Sequence, residues 1–163
     1  MSTPSIVIRP ERPDHPQVRE LLHQLDAYLA SLYEPQDNHI LDERALLGAD
    51  VTFLVAAQEQ RIVGCGAVRR MPAEHGTAQR PYGEVKRMIV DPHLRGQRIG
   101  ARLLQSLESL LRGDGIALAL LETGANQAEA VRLYERSGYT RRGAFGGYPD
   151  NGLSVFYEKL LSP

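Results

Sequence analysis

Residues 84–100 read EVKRMIVDPHLRGQRIG, from Glu84 through Asp91-Pro92 and Gly96 to Gly100. The run up to Val90 alternates polar with apolar side chains and predicts a strand over 82–90. Asp91-Pro92 stops it, because proline offers no N–H to a ladder. From Ile99, the residues Leu103, Leu104, Leu107, Leu110 and Leu111 recur at helical spacing and predict a helix over 99–111 with all of them on one side. Gly113 and Gly115 end it. A strand therefore passes through a short loop into a helix. The start of a helix leaves backbone N–H groups unpaired and carries partial positive charge. Gly96 lets a ligand come close to the backbone, and Gly100 lets the first turn pack tightly. Arg95, Arg98 and Arg102 add full charges at the same place. Together these features supply a mechanism for holding a pyrophosphate. On their own, the two glycines fit a plain tight turn feeding a helix equally well.

Two other phosphate-binding patterns fail on these residues. A P-loop requires Gly-Lys-Ser/Thr, but Gly100 is followed by Ala101-Arg102. A dinucleotide fingerprint requires Gly-x-Gly-x-x-Gly, and only Gly96 and Gly100 are present.

Outward from this stretch, the chain divides into short elements. Residues 5–9 alternate as a first strand, and 14–33 carry Val18, Leu21, Leu22, Leu25, Leu29 and Leu32 at helical spacing, with Asp14 as the expected N-cap. A polar loop at 35–39 and a short helix at 41–47 follow. Residues 51–57 and 61–70 predict a hairpin around Gln58-Glu59-Gln60, and 71–81 a loop. Beyond the long helix come a buried strand at 116–122, a helix at 127–136 and a strand at 138–142. A Gly-rich turn at 144–152 and a last strand at 153–160 complete the chain. Helices inserted between strands imply α/β crossovers, hence a mixed sheet with helices on both faces.

Composition narrows the function classes. The chain has 163 residues, 42% apolar and 24% charged, which predicts one globular domain over 1–163 and excludes disorder. The longest apolar run, 116–121, falls far short of the ~20 residues of a membrane span. Met1-Ser2-Thr3-Pro4 carries no basic, apolar leader. The single cysteine, Cys65, rules out an internal disulfide and a cysteine zinc cluster, and a reducing cytoplasm is expected. The histidines form no zinc-type spacing, so no metal is expected. Net charge is −1, but 80–112 carry 7 basic and 3 acidic residues, whereas 1–79 carry 7 and 11. One basic centre in a near-neutral chain fits a local anion site or a solvated helix face, not a nucleic-acid surface. Base-stacking aromatics are also lacking, since 80–112 hold only Tyr82.

Residues 95–100 resemble the acetyl-CoA signature of the GNAT superfamily of N-acetyltransferases, Gln/Arg-x-x-Gly-x-Gly/Ala, with Arg95, Arg98 and Gly100 at its fixed positions. Ala130-Val131-Arg132-Leu133-Tyr134-Glu135-Arg136-Ser137-Gly138-Tyr139 resembles the family's Ala-x-x-Leu-Tyr-x-x-x-Gly-Phe/Tyr segment. The strand ending Met88-Ile89-Val90, the following helix and the strand at 116–122 stand in the matching order. Two positions depart from the pattern. Arg98 replaces the signature's first glycine, and Gln127 stands where many members have asparagine, with Asn126 one residue earlier.

The resemblance implies the GNAT fold, a mixed sheet splayed between its fourth and fifth strands. It implies acetyl-CoA as co-substrate, with the pantetheine arm on the backbone of Met88, Ile89 and Val90. Arg95, Gly96, Gln97, Arg98, Ile99, Gly100 and Ala101 would take the pyrophosphate, and Asn126 or Gln127 the pantetheine amides. It implies transfer of acetyl to a primary amine of a small molecule or peptide by direct attack, in a protein that is often a homodimer. The alternative is a non-catalytic acyl-CoA-binding or regulatory domain on the same fold. Glu84 is the candidate base, and Tyr134 the candidate acid toward the coenzyme sulfur. The plainer alternatives are a carboxylate paired with Lys86 or Arg87, and a core aromatic. On a regular strand Glu84, Lys86 and Met88 share a face unless a bulge intervenes. Cys65 reads as a buried small hydrophobe. Glu74 and His75 read as a solvated loop or acceptor lining, and 143–152, with Tyr148, as an acceptor cover or a strand connection. The acidic balance of 1–79 favours a cationic amine, because acceptor pockets of this family draw on the N-terminal helices.

Overall fold

The computed structural model describes residues 4–94 and 96–162. Seven strands form one mixed sheet in the order β1-β2-β3-β4-β5-β7-β6. They are β1 (Ile6–Pro10), β2 (Val51–Gln58), β3 (Arg61–Met71), β4 (Tyr82–Val90), β5 (Leu118–Gly124), β6 (Thr140–Arg142) and β7 (Ser154–Leu160). The helices are α1 (Pro16–Leu32), α2 (Glu43–Leu46), α3 (Ile99–Gly113) and α4 (Ala128–Arg136), with 3-10 turns at Pro35–Asp37 and Pro92–Leu94. β4 and β5 are parallel, through Gly83↔Ala119 and Glu84↔Leu120. This ladder is short for strands of nine and seven residues. Among the described residues, no helix is long and apolar enough to cross a membrane.

The chain groups into two compact units. One runs through Val68 and adds Lys86–Leu107; the other takes Arg69–Val85 and the chain from Glu108 onward. In the first unit, alternate residues of β3 serve opposite faces. Cys65 and Ala67 join a core with Val18, Leu21 and Leu22 of α1, Leu46 of α2, and Phe53 and Val55 of β2. Gly64 and Gly66 face α3, where an added Cβ would sit 3.4 Å from Leu103 and Leu107 respectively. The tight approaches are to β4: an added Cβ would meet Ile89 O at 3.1 Å from Gly64 and would overlap Met88 Sδ from Gly66, so glycine here makes room for β4. Burial holds the Cys65 thiol protonated, its pKa pushed up to about 12, so the residue behaves as the expected small hydrophobe.

The second unit holds β7 between β5 and β6, antiparallel to both. Phe145 is fully buried, edge-on to Tyr82 at 5.6 Å and to Phe156 at 5.8 Å. Glu108 is buried on α3 and accepts from Tyr139 Oη at 3.0 Å and Lys159 Nζ at 2.9 Å.

Several boundaries differ from the sequence reading. The cap of α1 is His15, whose Nδ1 accepts from Gln17 N at 3.1 Å. Pro16 occupies the first helical position, so Asp14 lies one residue too early and pairs with Arg12. β5 starts at Leu118 rather than 116, because Ile116 N–H bonds back to Leu111 O at 2.9 Å and closes the end of α3. β6 starts at Thr140, because Gly138 is left-handed and Tyr139 N–H bonds back to Tyr134 O. α3 buries Leu103, Leu104, Leu107 and Leu111, but Leu110 is 38% exposed at the edge of the stripe.

That difference is measurable. Leu111→Ala should cost about 2–5 kcal/mol of unfolding free energy, because it empties a packed site. Leu110→Ala should stay within about 0.5 kcal/mol. Urea unfolding of the two variants distinguishes the buried leucine from its exposed neighbour.

Candidate active site

The first unit carries the loop at which an anion is expected. Gly96 has φ +85°, and nothing lies within 4 Å of the Cβ it lacks, so its surface is open to a ligand. Arg98 also has a positive φ, +58°. This is the position where the signature has glycine, and arginine here adopts the conformation glycine would supply. Gln97 and Arg98 are exposed. Arg98 O accepts from Arg102 N at 3.0 Å and closes the first turn of α3. The N–H groups of Ile99, Gly100 and Ala101 belong to that turn and have no intrahelical acceptors. Of the three expected arginines, Arg102 is directed elsewhere: its Nη2 donates to Ile6 O of β1 at 2.8 Å. Arg95 lies outside the described residues.

β4 ends at this loop and is held there by its edges. Asp91 N–H donates to Val63 O at 2.8 Å, and the Asp91 carboxylate pairs with Arg61. Within β4, Arg87 has φ +59° and interrupts the alternation. Lys86 Nζ donates to His39 O at 3.3 Å, and Arg87 Nη1 lies 2.7 Å from Asp26 Oδ1 of α1. Met88 turns to the α3 face beside Gly66, while Ile89 packs on the α1 core. The face that a regular strand would give to Lys86 and Met88 is therefore not shared. Arg87 turns to Asp26 rather than to Glu84.

In the second unit, Glu84 is buried and accepts from the Tyr148 hydroxyl. Burial first, then the Glu84 charge and this bond, push the Tyr148 phenol well above its ordinary pKa. Tyr148 sits in the Gly-rich segment, held down by the ring of Phe145 at 5.3 Å. The loop before β4 ties into the same segment. Gly146 N–H donates to His75 O at 2.8 Å, Arg142 Nη2 donates to Gly76 O, and Glu74 accepts from Tyr82 Oη at 2.7 Å. Glu74 and His75 are thus a brace for this segment, and Tyr148 reaches Glu84 from it.

Tyr134 is buried on α4, its ring 6.0 Å from Tyr139 and 6.5 Å from Tyr157. Tyr139 is anchored on Glu108, and Tyr157 donates to Glu135 Oε2 at 3.0 Å. No hydrogen bond to the Tyr134 hydroxyl occurs among the described residues. Burial, followed by the Glu122 charge, raises its pKa well above that of a free phenol. Gln127 is the N-cap of α4 without a side-chain capping bond, and Asn126 beside it is exposed. Sequence reading missed Arg87 and Glu108 as special. Glu108 carried a signal, a carboxylate within the apolar stripe Leu104, Leu107, Leu111. Among the described residues, no group of His, Cys, Asp and Glu is placed to hold a metal.

A mixed sheet with a parallel β4–β5 step, and a helix start opening beneath a left-handed loop, defines an enzyme that takes an acyl group from acyl-CoA. Comparison with known proteins agrees. The profile of the Acetyltransferase (GNAT) family matches residues 17–139. A protein of Azospirillum brasilense named IAA acetyltransferase is 44% identical, over 97% of this chain and 99% of its own length. A solved structure from Klebsiella pneumoniae, provisionally assigned as an acyl-CoA N-acyltransferase, is 33% identical with a TM-score of 0.78, covering 96% of this chain and 98% of that one. The PaiA N-acetyltransferase of Thermoplasma acidophilum, solved with coenzyme A, shares the fold at TM-score 0.73 and 18% identity, covering 96% and 99%. The chain belongs to the GNAT acetyltransferase family. It is an N-acetyltransferase with acetyl-CoA as co-substrate.

The left-handed Arg98 leads to a stability prediction. Arg98→Gly should not lower the melting temperature and should gain up to about 1 kcal/mol, because glycine adopts positive φ without a Cβ clash. Acetyl-CoA binding, followed by calorimetry, should persist, since the backbone N–H is kept.

Proposed function

We propose that residues 1–163 act as a single catalytic domain that acetylates a primary amine of a small molecule or peptide by direct attack. The family match begins in one compact unit and ends in the other, which supports treating them as one enzyme. The amine lone pair attacks the thioester carbonyl, the C–S bond breaks, and the acetyl group leaves on nitrogen. Glu84 takes the amine proton, and the Tyr134 hydroxyl gives its proton to the departing thiolate. The backbone of Met88, Ile89 and Val90 and the amide of Asn126 or Gln127 hold the pantetheine. The N–H groups of the Gly96–Ala101 stretch, with Arg95 beside it, hold the pyrophosphate. The observation that carries this reading is Tyr134: a phenol at the family's tyrosine position, kept protonated by burial, with no hydrogen bond to its hydroxyl among the described residues. The single unpaired cysteine suits a cytoplasmic setting. A homodimer is compatible with the family. The acceptor named for the Azospirillum relative belongs in the first panel of compounds to be tried.

Substitution separates the roles. Tyr134→Phe keeps the ring, so folding and acetyl-CoA affinity should hold while kcat falls by about 10²–10⁴. Because the Tyr134 pKa is raised, the phenol stays protonated and that deficit should be flat over roughly pH 6–9. Loss of stability with unchanged kcat would make Tyr134 a core aromatic instead. With Glu84→Gln, a deficit that narrows as pH rises marks the base, since the free amine then becomes abundant. A constant deficit marks substrate orientation. Gly96→Glu should abolish the thermal shift that acetyl-CoA produces, by placing a carboxylate at the pyrophosphate.

A further inference from the structure

Arg87 combines three unfavourable features that a purely structural residue does not need. Its backbone is left-handed at φ +59° inside a strand, a conformation that costs a non-glycine residue about 1–3 kcal/mol. Its guanidinium is buried, the side chain only 5% exposed. Its donors are not satisfied. Nη1 lies 2.7 Å from Asp26 Oδ1 but out of line for a hydrogen bond. Neither of those atoms, nor Nε, has a hydrogen-bond partner. The hydroxyl of Tyr33, which caps the same helix α1, is also buried without one. A buried charge normally gathers well-aligned partners, because leaving it short is costly.

Asp26 is a poor permanent partner. Its side chain is 41% exposed, so it keeps access to water and loses little by turning outward. Arg87 has no such option. A guanidinium presents a planar fork that two carboxylate oxygens can meet side by side, a geometry Asp26 does not achieve here. The left-handed turn brings Lys86 and Arg87, adjacent in sequence, to bear on the segment formed by α1 and the loop after it. Lys86 is held there by His39 O.

We propose that Arg87 is a specificity-determining residue that reads a carboxylate on the acceptor, with Asp26 as its placeholder while no acceptor is bound. This rests on the acetyltransferase reading above and narrows its acceptor to an amine that also bears a carboxylate, such as an amino acid or the C-terminus of a short peptide. The ammonium of such an acceptor remains compatible with the acidic balance of residues 1–79.

The test uses product-like probes, so it does not depend on turnover. Calorimetric titration of the CoA-saturated protein would compare N-acetyl-alanine, N-acetyl-leucine and N-acetyl-phenylalanine with their carboxamides. The wild type should bind at least one acid roughly 10- to 100-fold more tightly than its amide, the range expected for a charged hydrogen bond. Arg87→Met combined with Asp26→Asn removes both charges together and avoids an unpaired buried carboxylate. It should bind acid and amide alike while its acetyl-CoA thermal shift is unchanged. Arg87→Lys should retain part of the preference. Equal binding of acid and amide by the wild type, absence of acid binding, or a preference that survives in the double variant overturns the proposal. A separate assay of CoA release with amino acids and the matching decarboxylated amines tests transfer itself. Acid preference in binding without any CoA release would leave the Arg87 assignment standing and remove the N-acetyl transfer reading. Release with no acid preference in binding would do the reverse.

Discussion

One left-handed residue inside β4 decides which side chains that strand offers to each face. A regular strand alternates with period two, so Lys86 and Met88 would point the same way. With Arg87 at φ +59°, Lys86 and Arg87 both address α1 and the loop after it, and Met88 turns to α3. The strand pairs normally again beyond this point. Asp91 N–H finds Val63 O, and the Arg61–Asp91 pair fixes the edge from which the anion-binding loop departs. The Cys65 thiol, 3.5 Å from Arg87 O, fills the space beside the irregularity with a group small and apolar enough to be buried there. The irregularity is thus confined to the neighbourhood of Arg87, and the loop after β4 is fixed separately through Asp91.

Glycines make room for packing around β4. Gly83 on β4 leaves room for Leu111, whereas Gly64 and Gly66 on β3 leave room for Ile89 and Met88 of β4. A Cβ at Gly83 would collide with the Leu111 side chain, so the helix would have to move out. The start of the same helix is where the proposed phosphate site would draw on free N–H groups and the dipole. The leucine stripe fastens the helix and Gly83 sets its height. The left-handed pair Gly96 and Arg98 then turns the chain so that the first helical N–H groups face outward.

The elements near the coenzyme loop were legible because each rests on a local signal. β4 has its predicted bounds, and α3 starts at Ile99 as its periodicity requires. Boundaries failed where a backbone bond reaches across an expected edge, as at Ile116 and Tyr139, since side-chain patterning carries no record of such bonds. The left-handed conformation of Arg87 was equally invisible. Nothing in Val-Lys-Arg-Met marks a bulge, and arginine is not a residue whose chemistry asks for positive φ. Arg98 differs, because its place in a family signature that otherwise holds glycine pointed to a special backbone. The Tyr148–Glu84 bond joins residues 64 apart in sequence and depends on how a Gly-rich segment folds back, which no periodicity describes.

That bond also bears on how Glu84 can serve as a base. A guanidinium partner would steady the carboxylate by cancelling its charge, and a cancelled charge attracts an amine proton weakly. A phenol steadies it differently. It donates one hydrogen bond, fixes the direction of the carboxylate, and adds no positive charge. The raised pKa of Tyr148 keeps its proton on the phenol, so the donor stays neutral. The same pairing recurs at Tyr82 with Glu74 and Tyr157 with Glu135, where it braces structure. At Glu84 the same bond would in addition aim the carboxylate for the proton transfer proposed above.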